Sequence, residues 1–170
     1  LDVRLLLGVF QALLDNGVKD ISSGNTYGIG VDNKGEIYTW GHTRITDKID
    51  VANIPDEVKT ADLTQIAAGT DHIVAVDADG KVYVWGATGL GTTGIDIADI
   101  PEEVQNEKIA WVAAGIDHIV AVGENGKVYA WGANKLGQYG YFDPAVNPNI
   151  APEPDELLNG TIDASNIKKI

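Results

Sequence analysis

The sequence predicts an all-β chain, a β-propeller segment of about three blades with an N-terminal helical extension. Three observations carry this. Trp-Gly pairs recur at Trp40-Gly41, Trp85-Gly86 and Trp131-Gly132, in steps of 45 and 46 residues, and Gly24, Gly69 and Gly115 keep the same step. Inside each unit, short apolar runs alternate with turn residues: residues 66–87 read IAAGTDHIVAVDADGKVYVWGA and residues 112–133 read VAAGIDHIVAVGENGKVYAWGA. The 170 residues include 20 glycines but only two phenylalanines, a balance that suits many tight turns better than long helices.

Residues 1–17 form the extension. Val3, Leu6, Phe10, Leu13 and Leu14 fall on one stripe of a helix over about 1–14, and Asp15-Asn16-Gly17 stops it, Gly17 serving as a left-handed cap. The propeller repeats occupy 18–140, divided as 18–62, 63–108 and a core of 109–140. The first unit, ISSGNTYGIGVDNKGEIYTWGH over 21–42, is the most divergent. In the second, residues 63–67 read as a first strand, 72–76 as a second, Asp79-Gly80 as the hairpin turn and 81–85 as a third. Residues 109–113 repeat the first strand, Asn125-Gly126 repeats the turn, and Asn33-Lys34-Gly35 does the same job with one more residue. Ile54-Pro55 to Val58 and Ile100-Pro101 to Val104 are expected as outer edge strands, where proline is tolerated. Residues 141–170 comprise a connection with four prolines and then Asn166–Ile170, which aligns with Asp62–Ile66 and is expected to begin a fourth unit. A propeller closes with at least about four blades, so these residues are expected to be a segment of a longer propeller. The absence of methionine adds the expectation that the chain does not start at its own initiator.

Composition narrows the function classes. Twelve basic and 25 acidic residues give a net charge of −13, and the 44% hydrophobic content is too high for a disordered acidic tail. The basic residues are scattered singly apart from Lys168-Lys169, which argues against a phosphate backbone or an anionic membrane surface as partner. With no cysteine, a disulfide framework, a zinc knuckle and a thiol nucleophile are excluded. The longest apolar stretch, residues 5–14, is half of the roughly 20 residues a bilayer-spanning helix needs.

The run Ala-Ala-Gly-x-Asp-His-x-x-Ala-Val, then Gly-Lys-Val-Tyr-x-Trp-Gly, then Leu-Gly-x-x-Gly resembles the regulator-of-chromosome-condensation repeat over about 18–140. The second and third units match closely. The first departs, with Ser22-Ser23, with Tyr27 in place of histidine, and without Leu-Gly-x-x-Gly. The resemblance implies a seven-bladed propeller in a full chain. It does not fix a function, because the family includes a nucleotide-exchange factor on chromatin, a plant ultraviolet receptor, bacterial β-lactamase inhibitors and many bacterial and phage proteins. This sequence lacks the basic arm of the first and the Gly-Trp-Arg-His-Thr motif of the second, and is similar in style to bacterial or phage-like members.

The chemical motifs have structural readings. Gly89-Leu90-Gly91-Thr92-Thr93-Gly94 matches a dinucleotide fingerprint, but a β-like, proline-stopped run follows where a helix is needed. His72 and His118 occupy equivalent positions one repeat apart, so they are expected to hydrogen-bond backbone inside their own blades, not to share an ion. Trp40, Trp85 and Trp131, with Gly24, Gly69 and Gly115, complete the structural repeat set. Asp77-Ala78-Asp79-Gly80 starts like a calcium loop but has no downstream ligands, so it reads as a hairpin turn. Asp56-Glu57 and Glu102-Glu103 read as charges that keep strand edges from pairing with other chains, or as an acidic docking surface. No catalytic residue, metal ligand or cofactor-binding residue is assigned.

The expected function is therefore a non-catalytic scaffold or binding module with protein partners, as part of a larger bacterial surface or phage virion assembly. The alternative is a soluble inhibitor or regulator that grips one protein through its rim loops. Where the units differ, after each Trp-Gly pair, lie the candidate partner-binding residues Arg44, Ile45, Leu90, Tyr139, Tyr141 and Phe142. Nucleic acid, membrane insertion and cofactors are not expected. An extracellular, cell-surface or virion location is favoured over a cytoplasmic one, and association of chains is left open as a way to close a ring.

Overall fold

A computed structural model describes residues 3–44, 50–86 and 99–133, with side chains described from Leu7 onward. Helix α1 spans Val3–Asn16. Three antiparallel sheets follow, each with its strands in chain order: β1 (Val18–Ser23), β2 (Tyr27–Asp32) and β3 (Ile37–Gly41); β4 (Leu63–Ala68), β5 (His72–Asp77) and β6 (Val82–Gly86); β7 (Ile109–Ala114), β8 (His118–Gly123) and β9 (Val128–Gly132). These are blades 1, 2 and 3. The fold is that of a partial β-propeller, with three strands per blade among the described residues.

The register repeats from blade to blade. Tyr27 faces Gly41, His72 faces Gly86, and His118 faces Gly132. A bulge falls at the same place in each first strand, after Val18, Leu63 and Ile109. The hairpin turns are also alike. Gly80 donates to the Asp77 carbonyl at 3.0 Å and sits at φ +82°, a conformation that glycine adopts without steric cost. Gly35 and Gly126 repeat that geometry, so the first turn is no longer than the others. No non-glycine residue among those described has positive φ, so positive φ in these turns belongs to the glycine alone.

Blades bury both faces of their middle strand, which is why these strands read as unbroken apolar runs. On β5, Ile73 and Ala75 turn toward blade 1 and join Tyr27, Ile29 and Val31; Val74 and Val76 turn the other way and join Ile119, Ala121 and Trp131. Each seam thus has its own core.

The expected outer edge strands are instead single helical turns, α2 (Asp56–Lys59) and α3 (Glu102–Gln105). Pro55 and Pro101 cap them with extended backbone, and their carbonyls accept from Val58 and Lys59, and from Val104 and Gln105, at 3.0–3.2 Å. Two carboxylates follow each proline, where first-turn N–H groups favour negative charge. Val58 and Val104, each 1% exposed, point back into the seams. Burying such a side chain contributes about 1.5–3 kcal/mol. The acidic pairs therefore start helical turns and do not guard strand edges.

Candidate functional site

The seams concentrate the polar geometry. The Tyr27 hydroxyl donates across to blade 2, to the carbonyls of His72 at 2.7 Å and Gly69 at 3.1 Å. Tyr27 stands where blades 2 and 3 carry His72 and His118. The Tyr27 hydroxyl thus spans two blades, whereas His72 does not make the bond to backbone inside its own blade that was expected of it. His72 is fully buried, and neither ring nitrogen has a hydrogen-bond partner in the structure; its Nδ1 is 3.6 Å from Asp71. Burial pushes its pKa down, against the opposing pull of Asp71.

Gly24, Gly69 and Gly115 are places of close approach. A Cβ on Gly69 would lie 2.6 Å from the Gly115 carbonyl oxygen and against the His72 ring. Trp85 and Trp131 are 3% and 2% exposed, and the Trp85 indole donates to the Val51 carbonyl at 3.0 Å. Trp40 differs: it is half-buried and packs on Phe10 with ring centroids 5.2 Å apart.

Sequence reasoning missed a set of rungs between blades. Asp20 accepts from the Ile66 N–H at 2.7 Å, Ser22 from Ala68 at 3.0 Å, and Gln65 from Val112 at 2.8 Å. The signal was an acceptor side chain placed just before Ile21 and again just before Ile66, one repeat step apart. The turn aspartates were also read too simply. Asp77 Oδ1 accepts from the Asp79 and Lys81 N–H groups, and Oδ2 from the Tyr83 hydroxyl at 2.8 Å. Both oxygens serve the hairpin. Asp32 does likewise with Lys34, Glu36 and Tyr38, and adds the Asn16 amide at 2.7 Å. Burial alone would raise its pKa, but these donors outweigh burial and hold the carboxyl below the usual range.

Of the candidate partner-binding residues, Arg44 is described. It forms an isolated bridge with Asp50, its Nε 3.9 Å from the carboxylate, and its side chain is 70% exposed. Ile45, Leu90, Tyr139, Tyr141 and Phe142 lie outside the described residues, as do the glycine motif at 89–94 and the residues expected to open a fourth unit. Among the described residues, no three His, Cys, Asp or Glu side chains converge as a metal site would need, and no helix is long and apolar enough to cross a membrane.

A family model, the regulator of chromosome condensation (RCC1) repeat, matches residues 63–91 and 110–138. The second and third repeats thus match the RCC1 repeat. Matching structures agree with that. Yeast RCC1 (Prp20), solved bound to Kap60, has a TM-score of 0.60 and 20% identity over 86% of this chain and 37% of its own. Human WBSCR16 has a TM-score of 0.61 and 19% identity, covering 89% and 41%. The C-terminal domain of gp131 from bacteriophage phiKZ has a TM-score of 0.50 and 14% identity, covering 84% and 46%. At these identities the likeness shows the fold. The chain spans less than half the length of each. No curated protein matches the sequence. The RCC1 model passes over the first repeat, where Tyr27, Gly28 and Gly30 replace the His-Ile-x-Ala pattern of the other two.

Two substitutions test the seams on either side of blade 2. Tyr27→Phe leaves two buried carbonyls without their donor and is expected to cost about 1–2 kcal/mol in urea unfolding. His72→Tyr is expected to place a hydroxyl toward the third blade as Tyr27 does toward the second, gaining about 1 kcal/mol. It should also remove a pH slope. A histidine held neutral in the fold takes a proton on unfolding below about pH 6.5. Its contribution is intact above that value and falls as pH drops toward the lowered folded pKa. Unfolding midpoints at pH 7.5 and 5.0 should therefore differ less in His72→Tyr than in the native chain; an equal difference would show that His72 does not carry the slope.

Proposed function

We propose that this chain is a non-catalytic RCC1-type scaffold whose variable segments after the Trp-Gly pairs bind a protein partner. The observation that carries the reading is the division of labour within each repeat. The strands, glycines and tryptophans are spent on seams, while the segments that follow Trp40-Gly41, Trp85-Gly86 and Trp131-Gly132 differ from one repeat to the next. Blades that need only their neighbours for stability leave such segments free to vary. A protein partner agrees with yeast RCC1 (Prp20), which was solved bound to Kap60. We place the chain in a surface or virion assembly, outside the cytoplasm, a reading with which the phage fold match and the acidic composition are compatible.

The test immobilises the full chain and challenges it with extracts and particles from its source. A saturable protein partner is expected, with binding weakened at least about tenfold by alanine at Arg44, Tyr139, Tyr141 and Phe142, a loss typical of interface anchors. The thermal midpoint should stay unchanged. Binding that ignores these substitutions, or turnover of a bound small molecule by the chain itself, would overturn the reading.

A further inference from the structure

The face of blade 1 turned away from blade 2 is built differently from its counterparts. Register places Gly28 and Gly30 where blade 2 has Ile73 and Ala75, and blade 3 has Ile119 and Ala121. Those four side chains are fully buried, each against the preceding blade. In blade 1 the missing side chains leave a hollow, which Leu13 of α1 fills over Gly30 and blade 1's own Trp40 fills over Gly28. A Cβ on Gly30 would lie 3.2 Å from Leu13 Cδ1, and the Trp40 ring lies across Gly28 with Phe10 packed on it. Leu13 is 1% exposed, and Asn16 at the end of α1 donates to the buried Asp32 carboxylate.

We propose that the outer half of blade 1, strands β2 and β3, is built to seat a helix in place of a neighbouring blade, that α1 is that helix, and that blade 1 is thereby an end of the blade stack. A blade packed there in the manner of blade 1 on blade 2 would have to displace both Leu13 and Phe10. The helix is held at its C-terminal end. A single residue, Gly17, joins it to β1, and the Gly17 carbonyl accepts from the Asn33 N–H at 2.9 Å. Among the described residues of this face, the β1 strip stays uncovered. Val18 and Ile21 are 42% and 51% exposed, whereas their counterparts Leu63, Ile66, Ile109 and Val112 are all under 5%. The Ile21 N–H bonds its own neighbour Asp20 at 2.9 Å, whereas Ile66 and Val112 draw their acceptors from the blade before.

Hydrogen exchange on the whole protein, read peptide by peptide, tests this. Amides of α1 should exchange at least about tenfold more slowly in the native chain than in Leu13→Asp, which unseats the helix. The double substitution Gly28→Ile with Gly30→Ala rebuilds the face of blade 2 and should release α1 to the same extent. Exposed Leu7→Asp should change nothing, and unaltered amides of β5 and β8 report that each variant is folded. The proposal is overturned if α1 exchanges as fast in the native chain as in Leu13→Asp, or if its protection survives the rebuilt face.

Discussion

Gly69→Val is expected to cost about 3 kcal/mol or more, the upper range for overpacking a tight contact. At this position even a Cβ would meet the Gly115 carbonyl oxygen of the next blade and the ring of His72. Neither neighbour is a flexible side-chain tip. The carbonyl belongs to the backbone, and the ring is fully buried. The blades must therefore move apart, and the core on both sides of blade 2 loosens with them. Since whole domains are stable by only about 5–15 kcal/mol, the urea midpoint should fall steeply. Gly35→Ala is the control. Nothing lies within 4 Å of its Cβ, and only the positive φ of +85° penalises it, so a loss of about 1–2 kcal/mol is expected. If the two variants were equally destabilised, backbone conformation and not blade spacing would govern the recurring step of Gly24, Gly69 and Gly115.

Trp85→Ala should be larger still, about 3–5 kcal/mol, the usual range for removing a buried aromatic. Trp85 packs with Tyr27, Ile29, Val51, Val58 and Ile73, and its indole holds the Val51 carbonyl. Truncation opens the seam between blades 1 and 2 and frees the chain around Val51. Equilibrium unfolding gives the cost, and hydrogen exchange should show residues 50–59 deprotected first. Trp40→Ala should cost less than Trp85→Ala, because Trp40 packs on α1 and is only half-buried. Equal costs would mean that α1 seals its seam as tightly as a blade does.

The repeat made the blades legible. Alternating apolar runs, turn glycines and the Trp-Gly steps carried enough information to place β4 to β7 within a residue. The proline segments were misread because an edge strand and a single helical turn share the same opening. Pro-Asp-Glu-Val and Pro-Glu-Glu-Val suit a helix start through their carboxylates, and the valine three residues after the proline is the peg that the turn buries. Leu14 was placed on the buried stripe of α1, yet it is 70% exposed while Leu13 is buried. The reason is that the seat is narrow: Gly30 admits Leu13 deeply, while Trp40 already covers Gly28. Contacts between blades were not legible from one repeat at a time. The reach of Tyr27 to Gly69 and His72, and of Asp20 to Ile66, depends on how successive units stack.

The rungs made by Asp20, Ser22 and Gln65 give the stack a polarity. In each of them the earlier blade presents the acceptor and the later one the N–H, so the two sides are not interchangeable. In blade 3 the position of Asp20 and Gln65 is taken by Trp111, an indole that can only donate. Repeats 2 and 3 are near duplicates in sequence, yet a chain with their order exchanged would leave the next N–H unanswered. The side chain at this one position thus writes an address into each unit, and the sequence of blades is fixed by chemistry as well as by the order of the chain.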